Sequence, residues 1–293
     1  MNMSLKSGAC AAWVLSAALC LAMLPVRAAE PWRTLPPTPA LPPGTTGRFA
    51  SIHGVRIWYA EWGQKSEGIP VLLLHGGFGN SNYFGNLVPA LVEKGYRVIA
   101  MDSRGHGRST RTNAPQTYHL MAEDVIGLLD TLNIRRVKLI GWSDGGIIGL
   151  DIALNHPNRI AGLFAFGTNS DPSGTIDGGD KNPLFAGYLT RARDEYRALS
   201  PTPNQWASFE AAMNQMWSTL PAYTADQLRL IKVPTSIADG EHDEVIKPEH
   251  TKYLAATIPG ARIVILPKVS HFAMLQNPTE FNTAVIEFLQ RPM

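Results

Sequence analysis

The hydrophobic period of the chain changes near residue 62. Phe49–His53 and Val55–Trp62 alternate apolar and polar side chains around Gly54, which predicts a hairpin with one covered face. Beyond it, Val71–Leu74, Val98–Met101, Val137–Ile140, Leu163–Phe166 and Ile263–Leu266 are short, nearly continuous apolar runs, and Pro234–Ala238 reads as a further strand. Such runs suit strands covered on both faces. Helical stretches lie between them: Leu120–Leu132 sets Val125, Leu128, Leu129 and Leu132 on one side, and Phe281–Leu289 forms the last. Strand and helix in alternation predict an α/β domain with a mostly parallel, doubly wound sheet over residues 49–293.

One interval breaks this rhythm. Residues 168–232 separate two strand runs by roughly three times the length that a simple crossover needs, so a helical cap insertion is expected there. The interval carries Trp206, Phe209, Met213, Met216, Trp217 and Tyr223. Most of these large side chains should fasten the cap to the body. Trp206 and Trp217, with Trp142 from the body, are the candidates for lining a substrate pocket.

Composition narrows the function. The chain has 293 residues, 45% of them hydrophobic and 17% charged, with 26 Gly and 22 Pro, enough for a sizeable core with many turns. A formal charge of +2 with no Lys/Arg run gives no electrostatic footprint for nucleic acid, so a small-molecule partner is expected. Residues 1–28 read as a secretory signal peptide: Lys6 precedes an uncharged stretch from Ser7 to Val26, and Val26-Arg27-Ala28 suits cleavage after Ala28. Periplasmic or secreted localisation follows, without stable membrane insertion after cleavage. An uncleaved N-terminal anchor is the alternative, because the stretch is long enough to span a bilayer. Cleavage would remove Cys10 and Cys20, the only cysteines, and with them any disulfide or thiol nucleophile. Residues 29–48 hold six prolines between Pro31 and Pro43 and read as an extended strap or spacer.

The chemistry concentrates in three places. Gly141-Trp142-Ser143-Asp144-Gly145-Gly146 follows a strand run and opens a helix, the setting of a nucleophile elbow. Serine needs a base within hydrogen-bond reach and an acid to orient that base. His271 follows the last strand run, and Asp243, in Gly240-Glu241-His242-Asp243, follows the strand before it. Asp239 and Glu241 are rival acids; Asp243 is preferred because the turn at Gly240 should carry it beyond the strand end. The oxyanion needs two preset N–H donors. One is expected from Asp144, the other from Gly77 or Phe78 in His75-Gly76-Gly77-Phe78-Gly79. Asp102–Ser109 reads as a structural turn. No H-E-x-x-H, phosphate loop or dinucleotide fingerprint occurs, so neither metal nor cofactor is expected.

These motifs resemble the α/β-hydrolase superfamily from about residue 49 to the end, in its serine branch. The resemblance implies the α/β-hydrolase fold and a Ser-Asp-His triad. The elbow is also similar to that of the biphenyl-hydrolase-like (valacyclovir hydrolase) enzymes, in which the acid after the nucleophile holds the ammonium of an amino-acid ester. That resemblance implies a substrate contact for Asp144. The helix dipole alone is the competing explanation of an acid at this position. The reading is a carboxylic ester hydrolase acting on small molecules. C–C bond or enol-lactone hydrolysis, and cofactor-free perhydrolysis, are alternatives on the same triad; a non-catalytic binding module is the remaining one.

Overall fold

The computed structural model describes Met1 and residues 30–291, so the leader expected over residues 1–28 lies, Met1 apart, outside the described residues. Eight strands form one sheet: β1 (Gly47–Ile52), β2 (Val55–Trp62), β3 (Val71–Leu74), β4 (Val98–Met101), β5 (Val137–Trp142), β6 (Ile160–Phe166), β7 (Thr235–Gly240) and β8 (Arg262–Leu266). Their order is β1-β2-β4-β3-β5-β6-β7-β8. The hairpin β1/β2 is antiparallel and joins β4 antiparallel, while every pairing from β4 through β8 is parallel. This is the α/β-hydrolase fold.

Burial explains most of the runs. Every residue of β3, β4 and β6 is buried, as continuous apolar sequence demands of strands covered on both faces. The run 263–266 departs from that expectation. Because β8 is the sheet edge, Ile263 and Ile265 remain 45% and 46% exposed.

The helices are α1 (Leu87–Glu93), α2 (Tyr118–Thr131), α3 (Asp144–Asn155), α4 (Pro183–Leu199), α5 (Trp206–Trp217), α6 (Ala225–Arg229), α7 (Pro248–Thr257), α8 (Ala273–Gln276) and α9 (Pro278–Leu289). Their starts are chemically specified. Thr117 caps α2 by accepting from the Leu120 amide, and Asn182 and Asn277 cap α4 and α9, each with proline following.

Between β6 and β7 the chain carries α4, α5 and α6. Tyr196 stacks on Phe209 at 5.2 Å between ring centres, and Trp206 packs edge-on to both. Phe78, from the loop after β3, inserts its ring among Trp206, Phe209 and Trp217 at 4.8 to 5.6 Å. The helical segment is thereby fixed over the carboxyl ends of the strands. Residues 30–43 cross its flank. Arg191 of α4 donates to the carbonyls of Leu35 and Pro36, Gln276 to that of Thr34, and Trp32 stacks on His242 at 4.2 Å.

Candidate active site

Parallel register sets four loops side by side at one sheet edge. Leu74 pairs with Gly141, Trp142 with Phe166, Phe166 with Ala238 and Gly240 with Leu266, so the loops after β3, β5, β7 and β8 emerge together. Ligand sites of open α/β sheets form at this edge.

Ser143 sits between the end of β5 and the start of α3 with φ 54° and ψ −120°. A side chain in that left-handed region costs on the order of 1–3 kcal/mol, which its surroundings must offset. They do so through the backbone: Ser143 N–H donates to Phe166 O at 2.7 Å, and Ser143 O accepts from the Gly146 and Ile147 amides. The flanking glycines are steric necessities. A Cβ on Gly141 would stand 2.4 Å from the Gly145 carbonyl carbon, and one on Gly145 would stand 2.1 Å from Leu74 O.

His271 is 2% exposed, and its Nδ1 donates to Asp243 Oδ2 at 2.7 Å. Its other nitrogen is thereby left as the acceptor that a general base needs. Asp243 Oδ1 accepts from the Val245 and Ile246 amides, 2.7 Å each, so the carboxylate is fixed at both oxygens. Burial, and after it the nearby Glu244, pushes the Asp243 carboxyl up, against the pull of those amides; burial pushes His271 down. The rival acids are occupied elsewhere. Asp239 accepts from the Gly240 amide and the Thr251 hydroxyl, and Glu241 from the Lys268 amide. Trp142 Nε1 donates to His271 O at 2.9 Å, tying the histidine loop to the elbow.

The loop after β3 closes through a Gly79 N–H to Gly76 O bond of 3.0 Å, with Phe78 in the left-handed region at φ 61°. Gly77 O accepts the Tyr188 hydroxyl at 2.5 Å. The Asp144 amide is at the first position of α3, where no intrahelical acceptor exists.

These groups border a cavity of about 470 Å³, which Ser143, His271, Asp144, Trp142, Trp217, Gly77 and Phe78 all line. Trp206 does not line it. It shares the buried stripe of α5 with Phe209, Met213 and Met216, whereas Glu210, Asn214 and Trp217, one step around that helix, face the cavity. The expectation for Trp206 is thus corrected: it fastens α5 to Phe78. Trp142 lines the cavity but is 1% exposed, its ring lying 5.9 Å from that of His271.

Asp144 is 7% exposed and carries two neutral donors, Tyr118 OH at 2.8 Å and Trp217 Nε1 at 3.1 and 3.2 Å. Burial pushes its carboxyl up to about 6, against the pull of those donors and of His271. Sequence periodicity gave no hint of Tyr118 or Tyr188, because neither lies in a motif. Among the described residues lining the cavity there is no lysine or arginine, whereas Asp144, Glu210 and, at the exposed rim, Asp177 are acidic; Lys247 lies 4.0 Å from Asp177. Among the described residues no group of three or more His, Cys, Asp or Glu side chains converges as metal ligands would.

Residues 69–205 match the family model described as the alpha/beta hydrolase fold. The serine hydrolase BPHL of Mus musculus is 28% identical over 260 residues, covering 84% of this chain and 87% of its own. The 2-hydroxy-6-oxononadienedioate/2-hydroxy-6-oxononatrienedioate hydrolase of Comamonas testosteroni is 27% identical over 286 residues, covering 84% and 96%. Among solved structures, the enol-lactonase from Burkholderia xenovorans LB400 superposes with a TM-score of 0.68 at 26% identity, over 83% of this chain and all of that one.

Proposed function

We infer that this chain, an α/β-hydrolase by fold with sequence similarity to the BPHL serine hydrolases, cleaves carboxylic esters of small molecules through an acyl-enzyme. Ser143 is the nucleophile, His271 takes its proton and returns it to the leaving alcohol, and Asp243 orients the imidazole. The Asp144 amide and that of Gly77 or Phe78 receive the oxyanion. The observation that carries this reading is the elbow serine sharing one cavity with a histidine whose Nδ1 is bound by a doubly anchored carboxylate.

The preferred substrates are esters with a positively charged amino group near the carbonyl. A buried Asp144 carboxylate next in the chain to the nucleophile, held by neutral donors and no cation, supports this. C–C bond hydrolysis is the second reading, favoured by the similarity to the dienedioate hydrolase. A dianionic substrate, however, would meet acidic side chains in this cavity and no guanidinium or ammonium among its described lining. For localisation we propose export through the leader; among the described residues no helix is long and apolar enough to cross a membrane.

Hydrolysis of short aryl esters by the wild type, abolished in Ser143→Ala with its melting temperature retained, is the expected result. Unchanged hydrolysis in Ser143→Ala would overturn the reading.

A further inference from the structure

We propose that Tyr188, on helix α4, is a positioning residue for the oxyanion hole: by holding the Gly77 carbonyl it aims the Phe78 N–H. The proposal rests on the serine-hydrolase reading above and deepens it, assigning the second donor to Phe78 rather than Gly77.

The argument begins with peptide geometry. In a trans peptide the carbonyl of one residue and the N–H of the next lie in one plane and point in opposite directions. Whatever fixes Gly77 O therefore fixes the direction of the Phe78 N–H. Tyr188 OH does so at 2.5 Å, and burial holds that phenol far above its ordinary pKa, so it stays a donor throughout the working range.

The rest of the loop leaves this peptide as its one loosely determined unit. Gly76 O is already taken by the Gly79 amide and by His75 Nδ1 at 2.8 Å, and His75 is fixed in turn because its Nε2 accepts from the Ser103 amide. The 77–78 peptide follows a glycine, whose ψ offers low resistance to peptide rotation, although the Phe78 ring is anchored among its aromatic neighbours. Without the Tyr188 hydroxyl, no backbone contact between Gly76 and Gly79 holds its plane.

Tyr188 itself is well placed to serve as a fixed post. It is 2% exposed, its ring packing against Trp142, Tyr83 and Phe272 at 4.9 to 5.9 Å. One turn on, Arg191 binds the Leu35 and Pro36 carbonyls, and two turns on, Glu195 accepts from Asn80 and Thr38. The helix is thus tied on the same face to the strap and to the loop that follows Gly79. A hydrogen bond from the segment between β6 and β7 then bears on the charge that develops in the transition state, not on substrate binding.

The test is Tyr188→Phe, which keeps the ring and removes only the hydroxyl. Loss of one oxyanion donor costs roughly 100- to 1,000-fold in kcat, and a misaimed donor should cost less, on the order of 10-fold or more. We expect kcat on an aryl ester to fall by that factor while KM stays within about twofold, the signature of an interaction made only in the transition state. Affinity for a trifluoromethyl ketone, which forms a tetrahedral adduct on serine, should fall in proportion to kcat/KM. A variant matching wild type in kcat and inhibitor affinity would overturn the proposal. So would a fall in kcat accompanied by a matching rise in KM and a lowered melting temperature, which marks a packing role. Ser143→Ala run in parallel separates the two failures. If Ser143→Ala is inactive and Tyr188→Phe is unaffected, only the positioning role falls; if Ser143→Ala retains activity, the serine-hydrolase reading falls with it.

Discussion

Asp144→Asn is the substitution that most directly probes substrate choice, because it removes a charge at nearly constant volume and leaves the backbone N–H in place. The carboxylate is 7% exposed and bonded by Tyr118 and Trp217, both neutral, so an incoming ammonium would be its first cation in the cavity. Hydrogen bonds to a charged group are worth about 1.5–3 kcal/mol net. At about 1.4 kcal/mol per factor of ten, that is a preference of roughly 10- to 150-fold for an α-amino ester over its desamino counterpart. The assay is the ratio of kcat/KM for alanine and propionate esters of one phenol, measured from pH 5 to 8. His271 must be neutral for both esters, so its titration cancels in the ratio. What remains is Asp144, whose carboxyl is raised to about 6. Below that pH the group is protonated and the preference should decline; near pH 7 it should be fully present; above roughly 7.7 it should fade as the substrate amine loses its own proton. In Asp144→Asn the ratio should collapse to about one at every pH, with the propionate ester still turned over. A ratio that survives the substitution, or one that shows no limb near pH 6, would refute the role of Asp144 in recognition.

Three further substitutions are informative. Asp243→Asn should lower kcat by on the order of ten-thousandfold, since the amide favours the wrong imidazole tautomer. Asp239→Asn, which leaves the Asp243–His271 bond in place, should stay within about tenfold of wild type in the same kinetic assay; the reverse ranking would make Asp239 the orienting acid. Gly77→Ala would place a Cβ 2.3 Å from the Trp217 ring and 2.7 Å from Asp144 Oδ2. Overpacking of this kind costs about 1–3 kcal/mol, so calorimetry should find a melting temperature lower by several degrees. An unchanged transition would mean that Trp217 yields freely.

The central strands, the elbow and the order of serine, acid and histidine could be read from the chain because each is a local pattern: an apolar run, a glycine pair, a turn beyond a strand. Choosing Asp243 over Asp239 needed only the idea that a turn carries a side chain past the strand end, and the structure places Asp243 on His271 accordingly. The misjudged positions depend on information that is not local. Ile263 and Ile265 read as interior because a run of apolar residues does not say whether its strand has neighbours on both sides. Trp206 and Trp217 are indistinguishable by composition; both pack on Phe78, and only Trp217, about three turns further along α5, also reaches Asp144. Tyr118 and Tyr188 reach the site from elements 26 and 111 residues away from their partners, and a single sequence carries no mark of such pairs.

The strap over residues 30–43 has a consequence for the order in which the molecule assembles. Its bonds to Arg191 and Gln276 join groups 155 to 242 positions apart, so the first described segment of the chain binds to some of the last. Closing loops of that length offers no early reward, and the strap should dock only after α4 and α8 exist. None of residues 30–43 is fully buried, so release of the strap costs few buried contacts. Proteolytic nicking within residues 30–43 should therefore register opening before the sheet yields, and that opening would free the Arg191 end of α4 while the Ser143 turn is still intact.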